Sequence, residues 1–263
     1  MSSQGLTAAQ LLVADATALF EGLTDQQWAA DSACHGWRVQ DVATHMGYFF
    51  NTMTDPNLKG PTDHDGTAER LNDASVRERA DWSPQEVLDY YTQQAAGALV
   101  ALEALQAPEM SEATLQLAEL GTYRLAQLTD AVAFDHLVHL TCDLMQPFGP
   151  LPAAQVSTAE AIDPALDWML DGLPKMCSTT VAPALEGPIG LRLTGATQRS
   201  YVIDKNGDGL GVTETDSLPE DVATSSAEDF LRWATMRTAW RPAVDITGSR
   251  ERVSAVLDKI NIV

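Results

Sequence analysis

Apolar side chains recur every three to four positions through the first 145 residues. This spacing places them on one face of an α-helix, where they can be buried together. The pattern predicts four helices, over about residues 6–23, 38–54, 83–105 and 114–145. Four helices of this length are typical of an antiparallel bundle, in which facing side chains can build a metal site.

The start of the third helix carries a specific signal. Ser83 is the expected N-cap, Pro84 falls in the first turn, and Glu86 is the partner of a capping box. The segment before it, 55–82, is rich in Asp, Asn, Gly and Pro, so we predict a long polar loop there. A loop of this length in a compact domain is more often functional or mobile than without a role.

The composition changes over residues 147–164, where four prolines fall in "PFGPLPAAQVSTAEAIDP". We therefore predict two domains, a helical bundle over 1–150 and a second domain over 151–263. In the second domain, "IGLRLTG", "RSYVID" and "AVDIT" read as strands, whereas "AEDFLRWATMR" and "RVSAVLDKINIV" have helical spacing. The expected fold class is therefore α+β, with the helical bundle first.

Charge and cysteine content exclude several classes of function. Sixteen Lys and Arg stand against thirty-seven Asp and Glu, a net charge of −21 that disfavours nucleic acid and anionic membrane surfaces as partners. No apolar run approaches the roughly 20 residues of a membrane span, and the first residues lack the features of a signal peptide, so we expect a cytoplasmic protein. The three cysteines are widely spaced, which argues against a disulfide framework.

One apolar segment, "AFDHLVHLTCDLM" at 133–145, contains ionisable groups at helical spacing. Asp135, His139 and Asp143 are four residues apart and lie on one face of a helix. On the second helix, His45 in "DVATHMGYFF" lies among residues that face the core. A buried carboxylate without a partner costs several kcal/mol, so these groups need to be paired, protonated or coordinated to a metal.

Two readings of this cluster remain open at the level of spacing. Two histidines and one carboxylate, with a fourth position left for water or substrate, form the ligand set of a catalytic zinc site. The same residues also suit a metal-free, hydrogen-bonded cluster in the core. His136 is expected to be a neighbour of the site or an exposed residue, and Cys34 is interpreted as a packing residue.

The stretch "WAADSACHGWRVQDVATHMGY" resembles a signature of the mycothiol-dependent maleylpyruvate isomerase family, a branch of the DinB-like superfamily. In that signature a Ser-x-Cys-x-Gly-Trp turn precedes a helix with a metal-binding histidine; the matching residues here are Ser32, Cys34, Gly36, Trp37 and His45. The family's second motif matches Asp135, His139 and Asp143. "GLRLTG" and "SSAEDFLRWATMRTAW" resemble the family's small α+β module, which is sterol-carrier-protein-like.

The resemblance implies a DinB-like four-helix bundle in which His45, Asp135 and His139 hold a divalent metal, zinc first, with nickel or iron as alternatives. It also implies mycothiol, the low-molecular-weight thiol of actinobacteria, as cosubstrate. The implied activity is a thiol transferase or isomerase that acts on a small electrophile. Asp143 would orient His139. Arg237 matches a position that the family uses at the active site, and would bind a substrate or cofactor carboxylate.

One departure from the family pattern concerns the carboxylate ligand. The family usually has Glu where this chain has Asp135, whose side chain is one methylene shorter. Two alternatives to the thiol-using transferase or isomerase therefore stay open. One is a non-catalytic binding protein with an altered metal site, and the other is a metal-dependent hydrolase that uses bound water without a thiol.

Overall fold

A computed structural model describes residues 3–55 and 57–262 of the chain. It divides into two compact units, Met1–Ala165 and Leu166–Val263. The dividing point falls within one long helix, Thr158–Val181. The start of that helix lies within residues 147–164, where the change of composition predicts the domain boundary. The assignment of domains to 1–150 and 151–263 stays a prediction.

The first unit is mainly helical. Its helices are α1 (Ser3–Glu21), α2 (Asp25–Trp28), α3 (Val39–Thr54), α4 (Ala68–Arg77), α5 (Pro84–Ala104), α6 (Pro108–Ser111) and α7 (Leu128–Val138). A π-helical turn, His139–Leu144, continues α7 directly. The bundle forms because α3 packs on α5, while α1 packs on both α5 and α7.

The apolar stripes that predict the bundle helices form its core. Leu12 of α1, Met46 of α3 and Leu137 of α7 are at most 1% exposed. At the start of α5, Ser83 accepts a hydrogen bond from the Glu86 amide and Glu86 caps the Ser83 amide, so the predicted capping box is confirmed. The helices predicted over 6–23, 38–54 and 83–105 are thereby confirmed as α1, α3 and α5.

The prediction of a polar loop over 55–82 is wrong in part, because α4 occupies its centre. The buried residues of this helix are Ala74, Ser75 and Val76, in its last turn. Two of these side chains are very small, so α4 packs with little apolar content.

The prediction of a helix from 114 onwards is also wrong in its first part. Residues 114–124 form an antiparallel hairpin of β1 (Thr114–Leu117) and β2 (Gly121–Arg124). The backbone φ angle is +42° at Ala118 and +111° at Gly121, values that a right-handed helix does not contain. The helix itself begins at Leu128.

The second unit combines helices with one five-stranded sheet. Its elements are the part of α8 (Thr158–Val181) from Leu166 onward, followed by β3 (Ile189–Thr194), β4 (Arg199–Asn206), β5 (Gly209–Glu214), β6 (Val222–Ser226), α9 (Ala227–Ala234), β7 (Asp245–Thr247) and α10 (Arg250–Leu257). The strand order is β5-β4-β3-β6-β7, with β3 antiparallel to β4 and parallel to β6. The predicted α+β fold class, a helical region followed by a small sheet-containing domain, is confirmed.

Within residues 3–55 and 57–262, no helix combines the length and the apolar character that a bilayer crossing requires.

Candidate metal centre

Helix α3 and the junction of α7 with the π-helical turn bring three predicted site residues together. Asp135 Oδ1 lies 3.2 Å from His45 Nε2 and 3.5 Å from His139 Nε2. The two imidazole rings meet edge to face, with centroids 5.0 Å apart. One ligand atom from each residue falls within 4.8 Å of the other two, so the three groups are close enough to share one cation. The shorter Asp side chain therefore reaches both histidines.

The cluster is withdrawn from solvent and its charges are strongly coupled. His45 is 7% exposed and His139 8%. Burial lowers the pKa of His45. Burial also opposes ionisation of Asp135, but the charge of His139 and hydrogen bonds from the surrounding histidines hold the pKa of that carboxyl well below its usual value. Asp135 therefore remains an anion, which a divalent cation can neutralise in part.

Asp143 fixes the orientation of one histidine. Its Oδ2 lies 2.8 Å from His139 Nδ1, and the Asp143 side chain is buried. Burial opposes ionisation of His139, but the charge of Asp135 and hydrogen bonds to Asp135 and Asp143 raise the pKa of this imidazole well above its usual value, so the ring is protonated when no metal is bound. Because Asp143 holds the proton on Nδ1, a cation would displace the proton on Nε2, the nitrogen that faces Asp135 and His45. Metal-binding histidines are typically supported in this way, so the donor set fits a divalent metal. The predicted contact between Asp143 and His139 is present.

His45 is held differently. Its Nδ1 is buried and has no hydrogen-bond partner in the part of the chain that the structure describes. The ring of Trp37 lies against it, with centroids 5.4 Å apart, and Trp37 Nε1 is 3.4 Å from Asp73 Oδ1 of α4. The hydrogen bond between Nε2 and Asp135 and the packing of Trp37 therefore orient this imidazole, with no partner for Nδ1 among the described residues.

A buried pair that spacing did not reveal stands behind Asp135. His136 is fully buried, which decides between the two placements expected for it: it is a neighbour of the site and is not exposed. Its Nδ1 lies 3.2 Å from Asp135 Oδ2 and its Nε2 lies 3.0 Å from the Tyr91 hydroxyl of α5. Burial raises the pKa of Tyr91 well above its usual value, so this hydroxyl keeps its proton.

Cys34, which the sequence analysis interpreted as a packing residue, lies next to two residues of the site. The loop that carries it is tied to the π-helical turn, because the Ala33 amide donates to the Asp143 carbonyl at 2.9 Å. Cys34 is half-buried, and its Sγ lies within 4.8 Å of ligand atoms of His139 and Asp143. Cys34 belongs to the turn that precedes α3 in the family signature, but helical spacing did not predict that its thiol lies near His139 and Asp143.

Arg237 lies in the second unit. It is exposed and follows the end of α9, where its amide donates to the Arg232 carbonyl at 2.9 Å. Its assignment to the active site stays a prediction.

The first unit matches a known family over much of its length. Residues 9–141, just over half of the chain, match the model of the mycothiol maleylpyruvate isomerase N-terminal domain. The chain belongs to this family. The resemblance that the two helical motifs carry is thereby confirmed.

This member of the mycothiol maleylpyruvate isomerase family also resembles solved structures over nearly the whole chain. Two crystal structures of mycothiol-dependent maleylpyruvate isomerase, one of them a mutant, match it with a TM-score of 0.58. Each match covers 94% of both chains at 13% sequence identity, a level that establishes shared architecture alone. No curated protein sequence matches the chain.

Proposed function

We propose that the protein is a metal-dependent enzyme that uses mycothiol as its thiol cosubstrate. It acts as a transferase or isomerase on a small electrophilic molecule. The observation that carries this proposal is the convergence of His45 Nε2, Asp135 Oδ1 and His139 Nε2 inside the helical unit. The family supports the mycothiol chemistry, since its model is that of a mycothiol maleylpyruvate isomerase domain.

In this proposal His45, Asp135 and His139 hold the metal, with zinc the first candidate and nickel or iron as alternatives. A divalent cation lowers the pKa of a thiol that coordinates it, so the thiol is supplied as the nucleophilic thiolate. Two neutral imidazoles and one carboxylate leave a single positive charge on such a centre. That charge is matched by one thiolate, so the protein's own ligand set suits this cosubstrate.

The substrate chemistry follows from thiolate attack on an electrophilic carbon. In an addition the thiolate forms the carbon–sulfur bond, the π bond of the electrophile breaks, and the neighbouring carbon takes up a proton equivalent to the one that the thiol lost, so the conjugate is released as the product. In a cis–trans isomerisation the adduct rotates about what has become a single bond, and elimination returns both the double bond and the thiolate. Arg237 is proposed to bind a carboxylate of the substrate or cosubstrate, for which its planar guanidinium is suited.

Metal content tests the centre itself. The purified protein is expected to hold about one equivalent of metal, whereas His45→Ala and His139→Ala should lose it. His64→Ala is the matched control, because His64 lies outside the cluster and its Nδ1 accepts a hydrogen bond from the Gly66 amide. A wild-type protein with less than about a tenth of an equivalent would favour a non-catalytic binding protein.

Incubation with mycothiol and a panel of electrophiles, including cis-unsaturated acids, tests the reaction. Mass spectrometry that detects a mycothiol conjugate supports a transferase, and conversion to the trans isomer without thiol consumption supports an isomerase. Hydrolysis without thiol would instead support a metal-dependent hydrolase. Arg237→Ala should raise the KM of carboxylate-bearing substrates, whereas Arg241→Ala, which removes an exposed arginine bound to Asp258, should not.

A further inference from the structure

We infer that Gly149 is a positioning residue that fixes the place of Asp143 and, through Asp143, the orientation of His139. Gly149 acts through the backbone, because the loop that carries it folds back onto the π-helical turn. This inference rests on the proposed function, since it concerns how a metal-binding imidazole is held. It adds a residue from outside the predicted ligand set.

The loop of residues 145–151 returns to the end of the π-helical turn and is hydrogen-bonded to it. The Gly149 amide donates to the Met145 carbonyl at 2.8 Å, and the Leu151 amide donates to the Leu144 carbonyl at 2.9 Å. Leu151 is 0% exposed, so a buried apolar side chain anchors the far end of the loop. The backbone of this loop therefore lies directly against the last residues of the turn.

A side chain at position 149 does not fit this arrangement. A Cβ placed on Gly149 would lie 2.2 Å from the Leu144 carbonyl carbon, 2.4 Å from the Leu144 oxygen and 2.6 Å from the Asp143 oxygen. All three are backbone atoms, so no change of side-chain rotamer can make room for it. The φ angle of Gly149 lies outside the left-handed region, so the close approach of two backbone segments is what requires glycine here.

The backbone that Gly149 contacts carries the partner of a predicted metal ligand. The Asp143 carbonyl accepts a hydrogen bond from the Ala33 amide at 2.9 Å, and the Asp143 carboxylate lies 2.8 Å from His139 Nδ1. To reach an ordinary contact of about 3.4 Å with a Cβ at 149, the Leu144 carbonyl carbon would have to move by about 1 Å. A shift of that size at Asp143 would lengthen its contact with His139 beyond hydrogen-bonding distance.

A competing reading holds that Gly149 is needed only for the stability of its loop. Gly248→Ala is the matched control for this reading. A Cβ on Gly248 would lie 2.3 Å from Asp221 Oδ1 and 2.7 Å from the Glu220 carbonyl oxygen, but Gly248 belongs to the second unit, directly after β7. Gly248→Ala should therefore lower stability without changing zinc affinity.

Zinc affinity of the full chain, measured by chelator competition well below the unfolding temperature, provides the first readout. Gly149→Ala is expected to weaken zinc binding about 10-fold, the lower end of the range for losing a residue that orients a ligand. If Gly149 acts through Asp143, adding Gly149→Ala to Asp143→Ala should cause no further loss, because the two changes remove the same contact. Additive losses would contradict the inference, as would equal affinities of the Gly149→Ala and Gly248→Ala variants.

Amide hydrogen exchange of the metal-free protein provides a readout that needs no cation. The Ala33 amide, which donates to the Asp143 carbonyl, should exchange several-fold faster in Gly149→Ala than in the wild type. The Met110 amide, which donates to the Ala107 carbonyl in α6, is the internal control and should keep its rate. An unchanged rate at Ala33 would show that Gly149 does not fix the backbone of Asp143.

The wild-type protein decides the inference if Gly149→Ala fails to fold. Coupling between two equilibria is reciprocal, so a loop that favours zinc binding must itself be stabilised by zinc. Zinc should therefore slow exchange of the Leu151 amide more than that of the Met110 amide, and equal slowing would overturn the inference. A wild-type protein that takes up no zinc would refute the proposed function instead, and the Ala33 rates would then decide whether Gly149 fixes Asp143.

Discussion

Replacement of Asp143 measures how much the carboxylate behind His139 contributes to metal affinity. Complete removal of such a partner costs about 10- to 100-fold in affinity, or about 1.4–2.7 kcal/mol. Asp143→Ala should show this full loss, because the 2.8 Å contact with His139 Nδ1 disappears. Asp143→Asn keeps a neutral acceptor of the same shape. Charge-assisted hydrogen bonds are roughly twice as strong as neutral ones, so the Asn variant should keep about half of the free energy that Asp143 contributes to zinc binding. Its zinc affinity should therefore fall by only about 3- to 10-fold.

The assay is zinc titration against a chelator of known affinity, with wild type, Asn and Ala variants compared at one pH. Asp41→Asn is the matched control, because Asp41 is another buried carboxylate but its partner is Arg38, at the start of α3. It should lower stability without changing zinc affinity. Equal affinities across the Asp143 series, or a weaker Asn variant than Ala variant, would contradict the view that this carboxylate supports a metal-binding imidazole.

Three further changes have expected outcomes. Asp135→Asn removes the charge with little change of shape, so zinc content by elemental analysis should fall below about a tenth of an equivalent; undiminished zinc would exclude Asp135 as a ligand. Leu12→Ala opens a cavity at a fully buried position and should lower the free energy of unfolding, measured in urea, by about 2–5 kcal/mol. The control is Leu11→Ala at a neighbouring position that is 36% exposed, where the free energy of unfolding should change by no more than about 0.5 kcal/mol. Similar effects at both positions would contradict the assigned helix face. Ser83→Ala removes the N-cap of α5 and should cost about 1 kcal/mol with zinc content unchanged; an unchanged unfolding midpoint would count against the cap.

The residues brought together at the candidate centre follow from helical spacing. Asp135, His139 and Asp143 share one helix face by their intervals of four, and His45 lies in a strongly periodic segment of another helix. Helical spacing does not predict that Tyr91 contacts His136. Tyr91 is separated from His136 by 45 positions, and the contact depends on how α5 packs against α7, which spacing within one segment does not determine.

The misplaced elements have physical causes in their composition. Helix α4 buries alanine and serine, so a count of apolar residues underestimates it, although Thr67 and Glu69 at its start are typical of a helix N-terminus. The β1–β2 hairpin contains Leu117 and Leu120, whose interval of three also fits part of a helical stripe. Gly121 marked the break, since only glycine readily adopts its backbone angles.

Because residues 139–144 form a π-helical turn, the number of residues in this segment determines how Asp143 is placed relative to His139. Such a turn accommodates about one residue more than an α-helical turn. Deleting Thr141 would let the helix run on in regular form, yet it would leave Asp143 only three positions beyond His139 and on a different side of the imidazole. The same single deletion in the exposed tip of the β1–β2 hairpin would touch none of the clustered ligands. Apart from His139 and Asp143, side chains in residues 139–144 should therefore be replaced more readily than a residue is deleted. A shortened segment is expected to keep the bundle but to separate the histidine and carboxylate ligands.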